Sequence, residues 1–243
     1  MVTEPYYLLH FLTFFSYLPI RASASLVLSP RLLDLLLRRE IQALLTFLVL
    51  SSVKMVREET WEGFVADTFL FAKIFLIVLS LLIDYHLTIW YIVVFLVLYT
   101  LTQQPPFQGL GSSHKLTPLQ LETALVEGTS SNYWLIEFTT SCSSSCIRTS
   151  RCFPELSITY SNKNLSFGIV DIGLFPNVAE KFGISLGSVQ RTPTYILFEK
   201  ATEIARFPEL GSGSGSFLMP VTKKCLVRHF DLDRLLIEYV KGQ

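Results

Sequence analysis

The chain is poor in charge and in cysteine, and each shortage excludes something. Only 16% of its 243 residues are charged, and 20 Lys and Arg balance 20 Asp and Glu, for a formal net charge of zero. Without clustered Lys and Arg there is no surface to neutralise nucleic-acid phosphates, so no nucleic-acid partner is expected. The four cysteines, Cys142, Cys146, Cys152 and Cys225, include no Cys-x-x-Cys pair. A zinc site drawn from Cys142, Cys146 and Cys152 lacks a fourth ligand, so no metal is expected, and no cofactor is implied elsewhere. The Gly-Ser run at 211–216 has no lysine and threonine behind it, which makes it a flexible loop and not a phosphate loop. Nothing repeats at a solenoid period.

What is abundant is apolar. Hydrophobic residues make up 50% of the chain and the mean hydropathy is +0.44, too apolar for a purely soluble protein, so a membrane region is predicted over 1–102. Residues 6–20 are a first apolar run, interrupted by His10 and ended by Pro19. Glu4 and the absence of Lys or Arg before it favour an uncleaved helix over a secretory leader, although Ala22-Ser23-Ala24 has the look of a cleavage site. Arg21, Arg31, Arg38 and Arg39 follow, with an amphipathic stretch at 32–37, and the positive-inside rule puts this loop in the cytosol. A second run, 41–53, is short of the roughly 20 residues that a span needs. Glu58, Glu59, Glu62 and Asp67 then read as a small solvated acidic loop. Residues 69–101 form two apolar runs broken at Asp84-Tyr85-His86, a tight helical hairpin, with Lys73 at the start of the first run and free to snorkel.

Pro105 and Pro106 close this region, and the polar, Gly-containing stretch after them predicts a linker over 103–115. Thr117-Pro118-Leu119-Gln120 is a helix start with a capping box, which opens a domain over 116–243. Within it, 134–138 is a short run, apolar but for Glu137, of the kind that forms a strand covered on both faces. A Ser/Cys turn comes next, and Cys146 falls in the first turn of the helix it opens, where backbone N–H groups and the helix dipole favour a thiolate. A second buried strand ends in Val170-Asp171, a helix runs through 179–184, and Pro193 precedes a third strand at 195–198. The run 204–207 pairs antiparallel with that strand, and a last helix, capped by Asp231, carries Leu232, Leu235, Leu236, Tyr239 and Val240 as one apolar stripe.

That order, with Ile136-Glu137-Phe138, Tyr160, Val170-Asp171, Ala179 to Ile184 and Pro193-Thr194 in their places, resembles the thioredoxin fold: a central mixed sheet flanked by helices, here behind a helical membrane region. Taken with the apolar segments, the chain is similar to the thioredoxin-related transmembrane proteins of the disulfide isomerase superfamily, in the branch whose site keeps Ser-x-x-Cys. The resemblance implies an endoplasmic reticulum membrane protein. It puts Glu137 where the family has a buried acid, Thr192-Pro193 where it has a cis proline beside the substrate groove, Cys146 at the second cysteine and Ser143 at the first. Cys142 takes the place of the family's tryptophan. Disulfide exchange needs a thiolate nucleophile, and a serine hydroxyl without an adjacent base does not replace it.

Cys142 and Cys146 form a five-residue Cys-x-x-x-Cys. In a wholly helical turn they are i, i+4 neighbours, whereas the family geometry holds Cys142 in extended backbone, toward or beyond the roughly 7 Å limit for a disulfide. Three functions are compatible with this pattern: a catalytically weak client binder or redox sensor acting through Cys146, an active oxidoreductase using Cys142 and Cys146, or a structural partner of membrane proteins. The clients of the first are polypeptides or membrane proteins, held in part by mixed disulfides. The side of the membrane that carries the domain depends on how many apolar runs cross.

Overall fold

The structure is a computed structural model that describes residues 4–126, 132–141, 143–184, 193–209 and 221–242. The chain divides into two compact units, Met1–Pro105 and Pro106–Gln243. In the first, the apolar runs are helical: α1 (Pro5–Phe15), α2 (Tyr17–Val27), α3 (Pro30–Arg57), α4 (Trp61–Ile83) and α5 (Tyr85–Leu101). Pro19 does not end the first run. It sits in the opening turn of α2, where a missing N–H leaves no intrahelical bond unmade, and the break falls at Ser16 instead. The short run 41–53 is the inner part of the 28-residue α3, because no glycine or proline separates it from the amphipathic stretch after Pro30.

The expected acidic loop is also corrected. The Thr60 hydroxyl accepts the Gly63 N–H at 3.3 Å and starts α4 there, so Glu62 and Asp67 are helical. Both are buried, and Asp67 pairs with Lys54 at 2.6 Å. This early start leaves Lys73 in mid-helix rather than near an end, with its ammonium 5.7 Å from the centre of the Phe95 ring. The hairpin turns where expected. Asp84 accepts the His86 N–H at 3.2 Å, and the Ser80 and Thr88 hydroxyls meet at 3.2 Å inside the bend. By length and composition α4 is long and apolar enough to cross a membrane; α5 is apolar but shorter. Leu76, Tyr91, Phe95 and Leu98 form the core of this unit, while Leu70, Val78, Trp90 and Leu96 face outward.

The second unit is a five-stranded mixed sheet. Its elements are β1 (His114–Lys115), α6 (Pro118–Val126), β2 (Tyr133–Thr139), α7 (Ser144–Thr149), α8 (Cys152–Tyr160), β3 (Leu165–Asp171), α9 (Pro176–Lys181), β4 (Thr194–Glu199), β5 (Thr202–Phe207), α10 (Lys223–His229) and α11 (Leu232–Lys241). The strand order is β1-β3-β2-β4-β5, with β1, β3 and β2 parallel and with β4 antiparallel to both β2 and β5. This is the expected thioredoxin-like arrangement. Strand alternation divides β2 between two cores: Ile136 and Phe138 join Leu121, Val170 and Ile196 on one face, and Leu135 joins Phe153, Phe167 and Leu226 on the other. Both faces are covered, which is why β2 reads as an unbroken apolar run.

At the start of α6, the Thr117 N–H donates to Gln120 Oε1 at 2.9 Å and the Gln120 N–H to Thr117 Oγ1 at 3.4 Å, the predicted reciprocal cap. Asp231 differs from expectation. It stands before α11 in a left-handed conformation, φ +53°, and makes no side-chain cap. Its carbonyl, not its carboxylate, receives the Arg234 N–H, at 3.0 Å. Residues 106–115, part of the stretch that composition marks as linker, pack on the second unit. The Phe107 N–H donates to Ser150 Oγ at 3.0 Å, the Ser112 N–H to Ser157 Oγ at 2.9 Å, and His114 and Lys115 pair with Gly168 and Ile169.

Candidate functional site

Two parallel strands deliver the site. β2 and β3 pair in register from Tyr133 and Leu165 to Thr139 and Asp171, and the chain leaves β2 directly into a turn that opens α7. Asp171 pins that turn. One carboxylate oxygen accepts the Ser141 hydroxyl at 2.9 Å, and the other accepts the Gly173 N–H at 2.9 Å. The Ser143 N–H returns to the Thr140 carbonyl at 3.3 Å, and the Ser143 carbonyl receives the first helical bond, from the Ile147 N–H at 3.0 Å. Ser143 is therefore the residue that heads α7, in extended backbone with φ −87° and ψ 124°. Cys142, the other half of the Cys-x-x-x-Cys, lies outside the described residues.

At the head of α7 the two predicted functional groups differ sharply. The Ser143 hydroxyl lies 2.8 Å from the Ser145 hydroxyl. Cys146, on the inner side of the same turn, is a thiol only 4% exposed, with Sγ 3.9 Å from Thr140 Oγ1. Cys152, in the first turn of α8, is more deeply buried, and Cys225 is half-buried in α10. Among the described residues no group of three His, Cys, Asp or Glu is placed to hold a metal ion.

Glu137 is the buried acid of the site. It is 4% exposed, in the middle of β2, and it faces Tyr195 across the antiparallel pair with β4. Tyr195 Oη donates to Glu137 Oε1 at 3.0 Å. Burial raises the Glu137 pKa from 4.5 to about 8, because desolvation penalises the carboxylate and the Tyr195 hydrogen bond recovers only part of that penalty. The Tyr195 hydroxyl is itself pushed well above 10 by burial and by the adjacent Glu137. At neutral pH the pair holds both protons.

Glu137 and Cys146 share a cavity of about 310 Å³. It is lined by the Thr139 to Ser141 turn with Ile147 of α7, by Ile169 and Asp171 of β3, by Leu174 and Phe175, and by residues 106–110, which form a strap along it. The strap is held by the Ser150 hydroxyl and by the Arg151 guanidinium, 5.4 Å from the centre of the Phe107 ring. Sequence reasoning misses this strap and the role of Ser150. The available signal is Gly111, which reads as a linker glycine but has φ +59° and approaches the Pro154 carbonyl so closely that a Cβ has no room. Pro193 is buried just ahead of β4, but its peptide bond is shared with Thr192, which lies outside the described residues.

No family model matches the chain. It is similar to thioredoxin-related transmembrane protein 2 of Xenopus tropicalis, 30% identical over 200 residues, covering 81% of this chain and 69% of that protein. The homolog of Caenorhabditis elegans is 30% identical over 203 residues, covering 82% and 76%, and that of Drosophila melanogaster 29% over 222 residues, covering 86% and 80%. Among solved structures, the Schistosoma mansoni thioredoxin pre-protein is 23% identical, covers 39% of this chain and 83% of its own, and gives a TM-score of 0.34. Thioredoxin NaTrxh of Nicotiana alata is 14% identical, covers 53% and 96%, and gives 0.36.

Proposed function

Since the chain belongs to the thioredoxin-related transmembrane protein 2 family, we propose that it is a membrane-anchored thioredoxin-like protein of the endoplasmic reticulum whose disulfide oxidoreductase activity is weak or absent. It binds client polypeptides or membrane proteins in the groove beside Pro193 and senses redox state through Cys146. One observation carries the reading. The residue heading α7 is Ser143, a hydroxyl 2.8 Å from the Ser145 hydroxyl, while the sulfur, Cys146, is buried three residues later. A serine hydroxyl is no substitute for a thiolate in attacking a disulfide, so it does not start an exchange cycle. Cys146 supplies a sulfur that forms a mixed disulfide, and Ser143 offers no thiol to resolve it.

Full-length protein in detergent micelles tests this in two measurements. It is expected to bind a fluorescently labelled, reduced unfolded polypeptide, yet to reduce insulin at less than about one-hundredth of the rate of a two-cysteine thioredoxin. The Cys146→Ser variant is expected to bind the polypeptide equally well and to lose thiol adducts at this position. Insulin reduction near the thioredoxin rate refutes the reading. In that case Cys142→Ser identifies whether Cys142 supplies the attacking sulfur.

A further inference from the structure

The sulfur of a residue that is only 4% exposed does not meet the disulfide of a protein client unless α7 or the strap moves. Cys146 does line a cavity, which it shares with Glu137. At about 310 Å³ that cavity is at the small end of ligand sites, with room for a molecule of modest size and none for a folded surface. Its lining is mainly apolar and includes Phe107, Leu116, Ile147, Ile169 and Phe175, with Thr140 Oγ1 3.9 Å from the sulfur. Charge is sparse there. Burial favours the neutral form of Glu137, and the charged lining is one residue of each sign, Lys115, which is exposed, and Asp171, which already accepts from Ser141 and Gly173. A ligand with several charges loses hydration in such a place without gaining partners, whereas an uncharged aliphatic one with a hydroxyl or amide does not.

We propose that this cavity is a site for a small uncharged aliphatic disulfide, which exchanges with Cys146 beneath the 106–110 strap. The proposal rests on the reading that Cys146 is the redox-active sulfur, and it specifies the partner and the route. In the exchange the Cys146 thiolate attacks one sulfur of the ligand, the ligand's S–S bond breaks, and a Cys146–S–S–R bond forms. The other half leaves as a thiolate and takes up the proton that Cys146 released. Cys146 is oxidised, one ligand sulfur is reduced, and the disulfide itself is the oxidant. The strap then selects by size and charge.

Full-length protein in micelles is incubated at neutral pH with either bis(2-hydroxyethyl) disulfide or glutathione disulfide, and adducts at each cysteine are timed by peptide mass spectrometry. Rates are normalised to an unstructured cysteine peptide. For Cys146 the normalised rate with the hydroxyethyl reagent is expected to exceed that with glutathione disulfide at least about tenfold. Phe107→Gly, which opens the strap, is expected to shrink that preference to about twofold or less, with Cys152 unmodified in both proteins as the internal check on folding. If the variant also labels Cys152, Ser150→Ala, which removes only the tether, is read in its place. No preference in the wild type, or one that neither variant changes, overturns the cavity route and leaves the role of Cys146 standing. No adduct at Cys146 from either reagent, with normal alkylation after unfolding, overturns both.

Discussion

Glu137 ties the stability of the domain to pH. Its folded pKa of about 8 lies above the unfolded value of 4.5, so between these limits the folded state keeps a proton that the unfolded state gives up. Stability therefore falls as pH rises through that window and levels off above it. Glu137→Gln keeps an acceptor for the Tyr195 hydroxyl and has no proton to lose. It is expected to remove this slope, to match the wild type near pH 4, and to exceed it by roughly 3–5 kcal/mol at pH 9. Urea denaturation followed by near-ultraviolet circular dichroism at several pH values checks this, and parallel pH profiles for the two proteins contradict it. The acid itself is legible in the sequence, since a lone carboxylate in an otherwise apolar strand has nowhere to go but the interior. Its partner is not, because Tyr195 lies 58 residues away and meets Glu137 only through the antiparallel register of β2 with β4.

At the scale of elements, the strands and the α4–α5 hairpin are readable because their signals are local. β2 and β3 are apolar on both faces, and Asp84 both interrupts an apolar run and caps the start of α5. The strap is not readable. A stretch of Gln, Gly and Ser has the same composition whether it hangs free or packs, and only the Ser150 and Ser157 hydroxyls beside α7 and in α8 decide it. The acidic stretch after α3 misleads for a related reason, since Lys54 is supplied by a different helix and makes burial of Asp67 tolerable. Two glycines test the strap's packing. Gly111 and Gly183 both have positive φ, +59° and +64°, but an added Cβ strikes the Pro154 carbonyl at the first and meets nothing at the second. Gly183→Ala is therefore expected to cost about 1 kcal/mol, and Gly111→Ala roughly 2 kcal/mol or more together with faster alkylation of Cys146. Equal losses in denaturation and unchanged alkylation contradict a packed strap.

On the scale of the whole molecule, an apolar helical unit is joined to a thioredoxin-like unit that has its own two-sided core. In detergent phase separation the full chain is expected in the detergent phase and residues 106–243 in the aqueous phase. Recovery of the full chain in the aqueous phase contradicts a membrane anchor. Both units are legible from hydropathy and strand order alone. The chemistry is legible only as an expectation from the resemblance, which puts Ser143 at the first cysteine position, and the cavity that Cys146 lines emerges once residues far apart in the chain are brought together. The most direct measurement is insulin reduction by Ser143→Cys beside the wild type, in the full-length protein. Ser143→Cys places a thiol at the head of α7, three residues before Cys146, and is expected to raise the rate at least about a hundredfold above a near-background wild type. A wild type that already reduces insulin as fast as the variant contradicts the claim that the attacking sulfur is missing.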